Sequence, residues 1–104
     1  MRNFILAILV RAISFPVAAE TLQANQPVCL TEDLLTQLNK AAFEQDMPAL
    51  EYLAANGCSM SSAPLHATIL EVSSWGTMVH IRAYRDKHAV EVWTFRSALA
   101  GQPN

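Results

Sequence analysis

The pattern of apolar and polar residues along the chain changes its period twice, and each change predicts a different kind of element. Residues 4–10 form an unbroken apolar run. Residues 31–57 place apolar side chains at spacings of three and four, which is typical of helices. Residues 65–94 alternate with a period of two, which is typical of strands. With only 104 residues in total, the pattern predicts one small α+β domain.

The first 19 residues predict a secretory signal peptide. Arg2 precedes the apolar run, and the small residues 17–19 stand where a signal peptidase cleaves, just before Glu20. Arg11 interrupts the apolar stretch, which is shorter than the ~20 residues that cross a bilayer. We therefore expect a periplasmic or secreted product, residues 20–104, without a stable transmembrane span after cleavage. A buried N-terminal helix or an uncleaved anchor is the alternative.

The helical part of the pattern predicts two consecutive helices between residues 29 and 58. Thr31 can cap the first helix and Asp46 the second, with Pro48 in a first turn where its missing N–H is harmless. Gly57 can provide the left-handed residue that ends the second helix. The expected arrangement is a helical hairpin.

The alternating part of the pattern predicts three antiparallel strands at residues 65–72, 78–84 and 89–94. Turns at residues 73–77 and 85–88 separate them. Residues 100–104 are expected to be a tail. The segment 59–99 is thus predicted to form a small β meander or a partly open barrel.

A family resemblance supports the prediction for this segment. Residues 68–72, the Trp75-Gly76 turn, residues 79–83, residues 90–94 and residues 97–99 resemble a bacterial SH3-like domain. The resemblance implies a binding module of secreted or envelope proteins, often for cell wall or peptide, without catalytic residues. It differs from the family pattern in showing no clear last strand after Leu99.

Cys29 and Cys58 predict a disulfide bond. Two thiols in an exported chain normally pair, and these two flank the predicted helical hairpin, whose ends meet in space. The bond would clamp the open end of the hairpin. A reactive Cys58 that works with a histidine is the alternative.

The net charge of the chain argues against a nucleic-acid partner. Without residues 1–19, five Lys and Arg stand against nine Asp and Glu, a net charge of −4, so no nucleic-acid partner is expected. The helical half carries −5 and the strand half +1. The two halves either neutralise each other across their interface or form a site for an anionic ligand.

The histidines form no recognisable metal motif. His66, His80 and His88 lack a His-x-His or Cys-x-x-Cys partner. Although His80 and His88 flank one predicted turn, surface positions explain them better than a zinc site. We expect no metal, no other cofactor and no enzyme activity, because no convergent nucleophile and base can be drawn.

The aromatic residues suggest where binding occurs. Trp75 in a turn, with Arg82 and Arg85 further along the same predicted strand pair, combines a ring with cations and is the predicted binding site. Tip packing of Trp75 is the alternative, whereas Trp93 is expected to pack against Leu38 or Leu53. The predicted function is a non-catalytic binding module for an envelope or cell-wall partner, with a role as an accessory or inhibitor of an envelope enzyme. A structural or assembly component of an envelope complex is the alternative, and the sequence leaves the ligand and the oligomeric state open.

Overall fold

The structure is a computed structural model that describes residues 20–73 and 75–101. The predicted signal peptide, residues 1–19, lies outside the described residues. Helix α1 spans Glu32–Glu44 and helix α2 spans Met47–Ala55. The strands are β1 (Glu20–Leu22), β2 (Pro27–Cys29), β3 (Cys58–Met60), β4 (Leu65–Val72), β5 (Met78–Arg85), β6 (His88–Phe95) and β7 (Leu99–Gly101), with a 3-10 turn at Arg96–Ala98 before β7.

All seven described strands form one antiparallel sheet that curls into a half-barrel. Their order across the sheet is β3-β2-β6-β5-β4-β1-β7. The predicted α+β class is therefore confirmed. Among the described residues, no helix is both long and apolar enough to cross a membrane.

Both helices begin where the sequence predicts. The Leu34 N–H donates to the Thr31 hydroxyl at 3.1 Å, and the Ala49 N–H donates to the Asp46 carboxylate at 3.2 Å. These side chains satisfy N–H groups that have no partner within the helix. Only Gln45, in a left-handed conformation with φ of 56°, and Asp46 connect α1 to α2.

The three long strands also confirm the prediction, whereas the four short strands were not predicted. Residues 20–27 and 100–104 lack a visible period, yet Glu20 pairs with Gly101 and Thr21 with Ala100. The expected tail therefore begins too early, because Ala100 and Gly101 belong to β7. A three-residue strand is too short to display an alternating pattern, so only its distant partner reveals it.

The sheet has a different core on each face. A cluster contributed by strands and the 3-10 turn lies on one face and comprises Leu22, Ala67, Val79, Ile81, Ala83, Val92 and Ala98. The second cluster joins the helices to the other face and comprises Cys29, Leu35, Ala41, Leu53, Cys58 and Trp93. The neighbours Val92 and Trp93 belong to different clusters because successive side chains of a strand point to opposite faces.

The predicted disulfide between Cys29 and Cys58 is present. It links β2 to β3 across the sheet, with Cα atoms 4.0 Å apart, and both helices lie in the chain that it encloses. The alternative of a reactive Cys58 is therefore wrong for the oxidised protein, which has no free cysteine in its described part.

Ser61 ties together two connections of the half-barrel. Its side-chain oxygen accepts the Gln26 N–H at 2.9 Å and donates to the Gln23 carbonyl at 2.6 Å. Its own N–H donates to the Gln26 carbonyl at 2.8 Å, and its carbonyl accepts the Asn25 N–H at 2.7 Å. Residues 23–26, between β1 and β2, are thereby fixed to the start of the connection from β3 to β4.

Candidate binding site at the turn between β4 and β5

The turn between β4 and β5 presents Trp75 to solvent. The Trp75 side chain is 87% exposed, although the turn around it is held by hydrogen bonds. The Gly76 N–H donates to the Ser73 carbonyl at 2.9 Å, and the Met78 N–H donates to the Ser73 hydroxyl at 3.2 Å. Gly76 has a φ of 74°, a conformation that glycine adopts without strain. Hydrogen bonds from Gly76 and Met78 to Ser73 therefore close a turn that carries an exposed aromatic ring.

Arg96 lies beside this turn. Its backbone N–H donates to the Thr77 carbonyl at 2.9 Å, which places it next to the segment that carries Trp75. The Arg96 side chain is exposed, and no ion pair links it to another residue in the described part of the chain. The site thus combines an exposed ring with a cation that is available to a ligand.

A surface groove of about 610 Å³ adjoins the turn, and we call it the turn groove. It is lined by Asn39, Gly76, Thr77, Met78, Phe95, Arg96 and Ser97. Met78 and Phe95 provide apolar surface, while the amide, hydroxyl and guanidinium groups provide hydrogen-bond donors. This chemistry suits a ligand that has both an apolar face and anionic or hydroxyl oxygens.

The structure does not bring the three predicted site residues together. By strand geometry, Arg82 lies about 13 Å and Arg85 about 23 Å beyond the start of β5, next to which Trp75 lies. The Arg82 guanidinium also pairs with the Glu91 carboxylate at 3.1 Å. Arg85 lies at the opposite end of β5, facing His88 across the next turn.

Sequence reasoning missed Arg96, although a signal for it exists. Arg85 pairs with His88 around the two-residue turn at Asp86 and Lys87, and this register continues until Met78 faces Phe95. Counting pairs back from that turn places Arg96 opposite Thr77. The position of Arg96 next to the turn between β4 and β5 could therefore have been identified from the length of the strand pair alone.

A separate network is formed by polar residues of β4, β5 and β6: Thr68, Arg82, Tyr84 and Glu91. The hydrogen bond with Glu91, and secondarily that with Tyr84, raises the pKa of Arg82. Hydrogen bonding with Thr68, followed by that with Arg82, lowers the pKa of Tyr84. This network pairs its own charges, which leaves Arg82 less available to a ligand than Arg96.

The three histidines lie at different places on the sheet. His80 faces Trp93, and its Nε2 is 3.8 Å from the Glu91 carboxylate. His66 faces Tyr84 from β4, while His88 begins β6. Within residues 20–73 and 75–101, no group of three or more His, Cys, Asp or Glu residues is arranged to hold a metal ion.

Trp93 packs between the sheet and the helices. It is 9% exposed and belongs to the same cluster as Leu53, while Leu38 packs against the edge of that cluster. The predicted packing of Trp93 is therefore confirmed. The two tryptophans thus differ in environment, one in the core and one in solvent.

The chain matches no protein-family model, no curated protein and no solved structure.

Proposed function

We propose that the chain is an exported, non-catalytic binding module that binds a partner of the bacterial envelope or cell wall at Trp75 and the turn groove. The observation that carries this proposal is the 87% exposure of Trp75 in a turn whose Thr77 carbonyl accepts the Arg96 N–H. Trp and Arg are the residues most often found at the energetic centre of binding surfaces. A tryptophan that lies in solvent in a hydrogen-bonded turn has area to bury against a partner.

The chemistry of the turn groove favours a cell-wall polymer that carries carboxylates. The Trp75 ring can cover an apolar face of a sugar or a side chain. Asn39, Thr77 and Ser97 can hydrogen-bond to hydroxyl or carbonyl groups, and Arg96 can pair with a carboxylate. Because the chain is acidic overall, this local cation would direct such a polymer to one place on the surface.

Export belongs to the same proposal. A disulfide that joins two strands of the sheet is typical of proteins that mature in an oxidising compartment, such as the periplasm or the extracellular space. The apolar run and small residues of segment 1–19 support the same destination.

The proposal also includes the finer features of the fold. A Trp-bearing strand, β6, is followed by a 3-10 turn and a last short strand, which supports an SH3-like barrel. The two-residue connection between α1 and α2, together with Ala41 and Leu53 in one cluster, supports a helical hairpin.

Cosedimentation with purified cell-wall sacculi tests the binding role. We expect the wild-type protein to sediment with the sacculi, and both Trp75→Ala and Arg96→Gln to lose at least about tenfold in affinity, as for central binding residues. Phe43→Ala is the matched control, because Phe43 is an aromatic residue of nearly the same exposure, 88%, at the end of α1. Equal sedimentation of wild type and Trp75→Ala would contradict the assignment of the site.

As an accessory or inhibitor, the module would change the action of an enzyme on the same polymer. We expect a wall hydrolase added to sacculi to release fragments at a different rate when the wild-type protein is present. The Trp75→Ala variant should leave the rate unchanged, since it would no longer occupy the polymer.

The second candidate function, a structural or assembly component of an envelope complex, is favoured by a different observation. β3 lies at one edge of the sheet, where its backbone can accept another strand.

A further inference from the structure

The register of β3 with β2 determines which backbone groups of β3 point to its open edge. In an antiparallel pair, residues that exchange hydrogen bonds alternate with residues whose N–H and C=O groups point away from the partner. The Leu30 N–H donates to the Gly57 carbonyl at 2.8 Å, and the Ser61 N–H donates to the Gln26 carbonyl at 2.8 Å. By this alternation the backbone N–H and C=O groups of Ser59 form hydrogen bonds with β2. The backbone groups of Cys58 and Met60 point to the open side.

The short distance across the disulfide supports this assignment independently. Cys29 and Cys58 face each other with Cα atoms 4.0 Å apart. Facing residues that do not exchange hydrogen bonds lie about 4.5 Å apart, against about 5.5 Å for those that do. Cys58 therefore directs its N–H and C=O away from β2.

An apolar hollow lies beside this edge on the helix face of the sheet. The hollow has a volume of about 190 Å³ and is lined by Leu38, Leu50, Ala54, Cys58, Ser59 and Met60. None of these side chains is ionisable. The Met60 side chain, at the end of the strand, is 58% exposed.

We propose that β3 pairs antiparallel with β3 of a second copy of this chain, around a two-fold axis at Ser59. Cys58 of each copy would exchange two hydrogen bonds with Met60 of the other, which gives four hydrogen bonds in total. These bonds use the N–H and C=O groups that point to the open side. The side chains of two directly paired residues lie on the same face of a sheet. Met60 of one copy would therefore lie over the hollow beside Cys58 of the other.

Two properties of the edge favour a second copy as its occupant. The available groups are symmetric about Ser59, as a two-fold interface requires. The absence of ionisable side chains from the hollow means that two identical edges meet without like-charge repulsion. The edge has only three residues, so the buried area falls well below the ~800 Å² per partner of a standard interface. The expected dimer is therefore weak and depends on concentration.

Sedimentation velocity over protein concentrations from roughly 10 μM to 1 mM tests the dimer. We expect the weight-average sedimentation coefficient of the wild type to rise with concentration from the value of a monomer towards that of a dimer. Met60→Lys places a charge in the apolar hollow and should weaken association at least about tenfold. Met47→Lys is the matched control, because Met47 is 60% exposed at the start of α2 and does not line the hollow.

Amide hydrogen exchange tests the strand pairing itself and does not depend on the Met60 variant. With rising concentration, the amides of Cys58 and Met60 should become protected, while the Ser59 amide, already bonded within the chain, should not change. Met60→Pro removes only the outward N–H and should abolish the concentration dependence at Cys58. A wild-type protein that stays monomeric at 1 mM, or protection at Ser59 instead, overturns the proposal. The outcome is independent of sacculus binding by Trp75.

Discussion

The imidazole ring of His80 stacks on the indole ring of Trp93, with ring centroids 5.1 Å apart and an angle of 11° between the ring planes. The two residues face each other across β5 and β6. Trp93 also belongs to the cluster that attaches both helices to the sheet. This stack therefore covers the margin of the core where it meets the polar surface of the strands.

The two tryptophans should respond to truncation in opposite ways. Trp93→Ala removes a large side chain that is only 9% exposed and should destabilise the protein by about 3–5 kcal/mol. Trp75→Ala removes a ring that is already in solvent and should leave the melting temperature nearly unchanged. Thermal melts followed by far-UV circular dichroism compare the two. If Trp75→Ala melted as early as Trp93→Ala, the turn tryptophan would have a structural role.

Loss of the disulfide should be costly. It closes a loop with a sequence separation of 29 residues, and removing a native bridge from a small secreted domain typically costs about 2–5 kcal/mol. The double variant Cys29→Ala, Cys58→Ala avoids leaving a free thiol, and urea unfolding measures its stability. Intact-mass analysis of the wild type after alkylation without reductant should show no modified cysteine, and two modified cysteines would contradict the bond.

Ser61 should matter more for stability than its small size suggests. Ser61→Ala leaves the Gln26 N–H without the hydroxyl that accepts it at 2.9 Å, and this should cost about 1–3 kcal/mol. Ser62→Ala is the control, because Ser62 is exposed and its replacement should change stability by less than about 0.5 kcal/mol. Equal stability of the two variants in urea would contradict this tethering role of Ser61.

Tyr84 should ionise at a lower pH in the folded protein than in the unfolded chain. The hydrogen bond with Thr68, followed by that with Arg82, lowers its pKa from the ordinary value of 10.0. A folded-state pKa below the unfolded value adds stability as the pH rises through the folded pKa. This contribution is complete above the unfolded pKa and is lost again as the pH falls.

A spectroscopic titration measures this effect. Phenolate absorbance of the wild type minus that of Tyr84→Phe isolates the Tyr84 transition. Replacing Thr68 with Val should move that transition to higher pH, because the hydrogen bond that favours the ionised form is lost. An unchanged midpoint in Thr68→Val would show that the Thr68 hydrogen bond does not lower the pKa of Tyr84.

The sequence predicts those parts of the fold that local physics determines. Thr31 and Asp46 mark the helix starts because a side-chain oxygen can accept the N–H groups that lack partners there. The three long strands are visible because eight residues are enough to display the alternation of a half-buried sheet. The disulfide follows from two cysteines that flank the helices.

The other parts of the fold depend on residues that are distant in sequence. β1 pairs with β4 and β7, and β2 pairs with β3 and β6, so no local pattern marks these short strands. The same holds for Ser61, whose side-chain contacts are more than 30 residues away. At the candidate site, the sequence did not decide whether Trp75 is exposed or packed. The position of Arg96 next to the turn could be inferred only from the register of β5 with β6.

The strand order has a consequence for the shape of the sheet. β1 and β2 are joined by residues 23–26 but lie four strand positions apart, and residues 61–64 join β3 to β4 over the same number of positions. Four spacings in a flat sheet amount to about 19 Å. Five residue steps of extended chain reach only about 17 Å. Neither connection is long enough to cross a flat sheet. The curvature of this half-barrel is therefore imposed by the short length of these two connections, as well as by the side chains inside it.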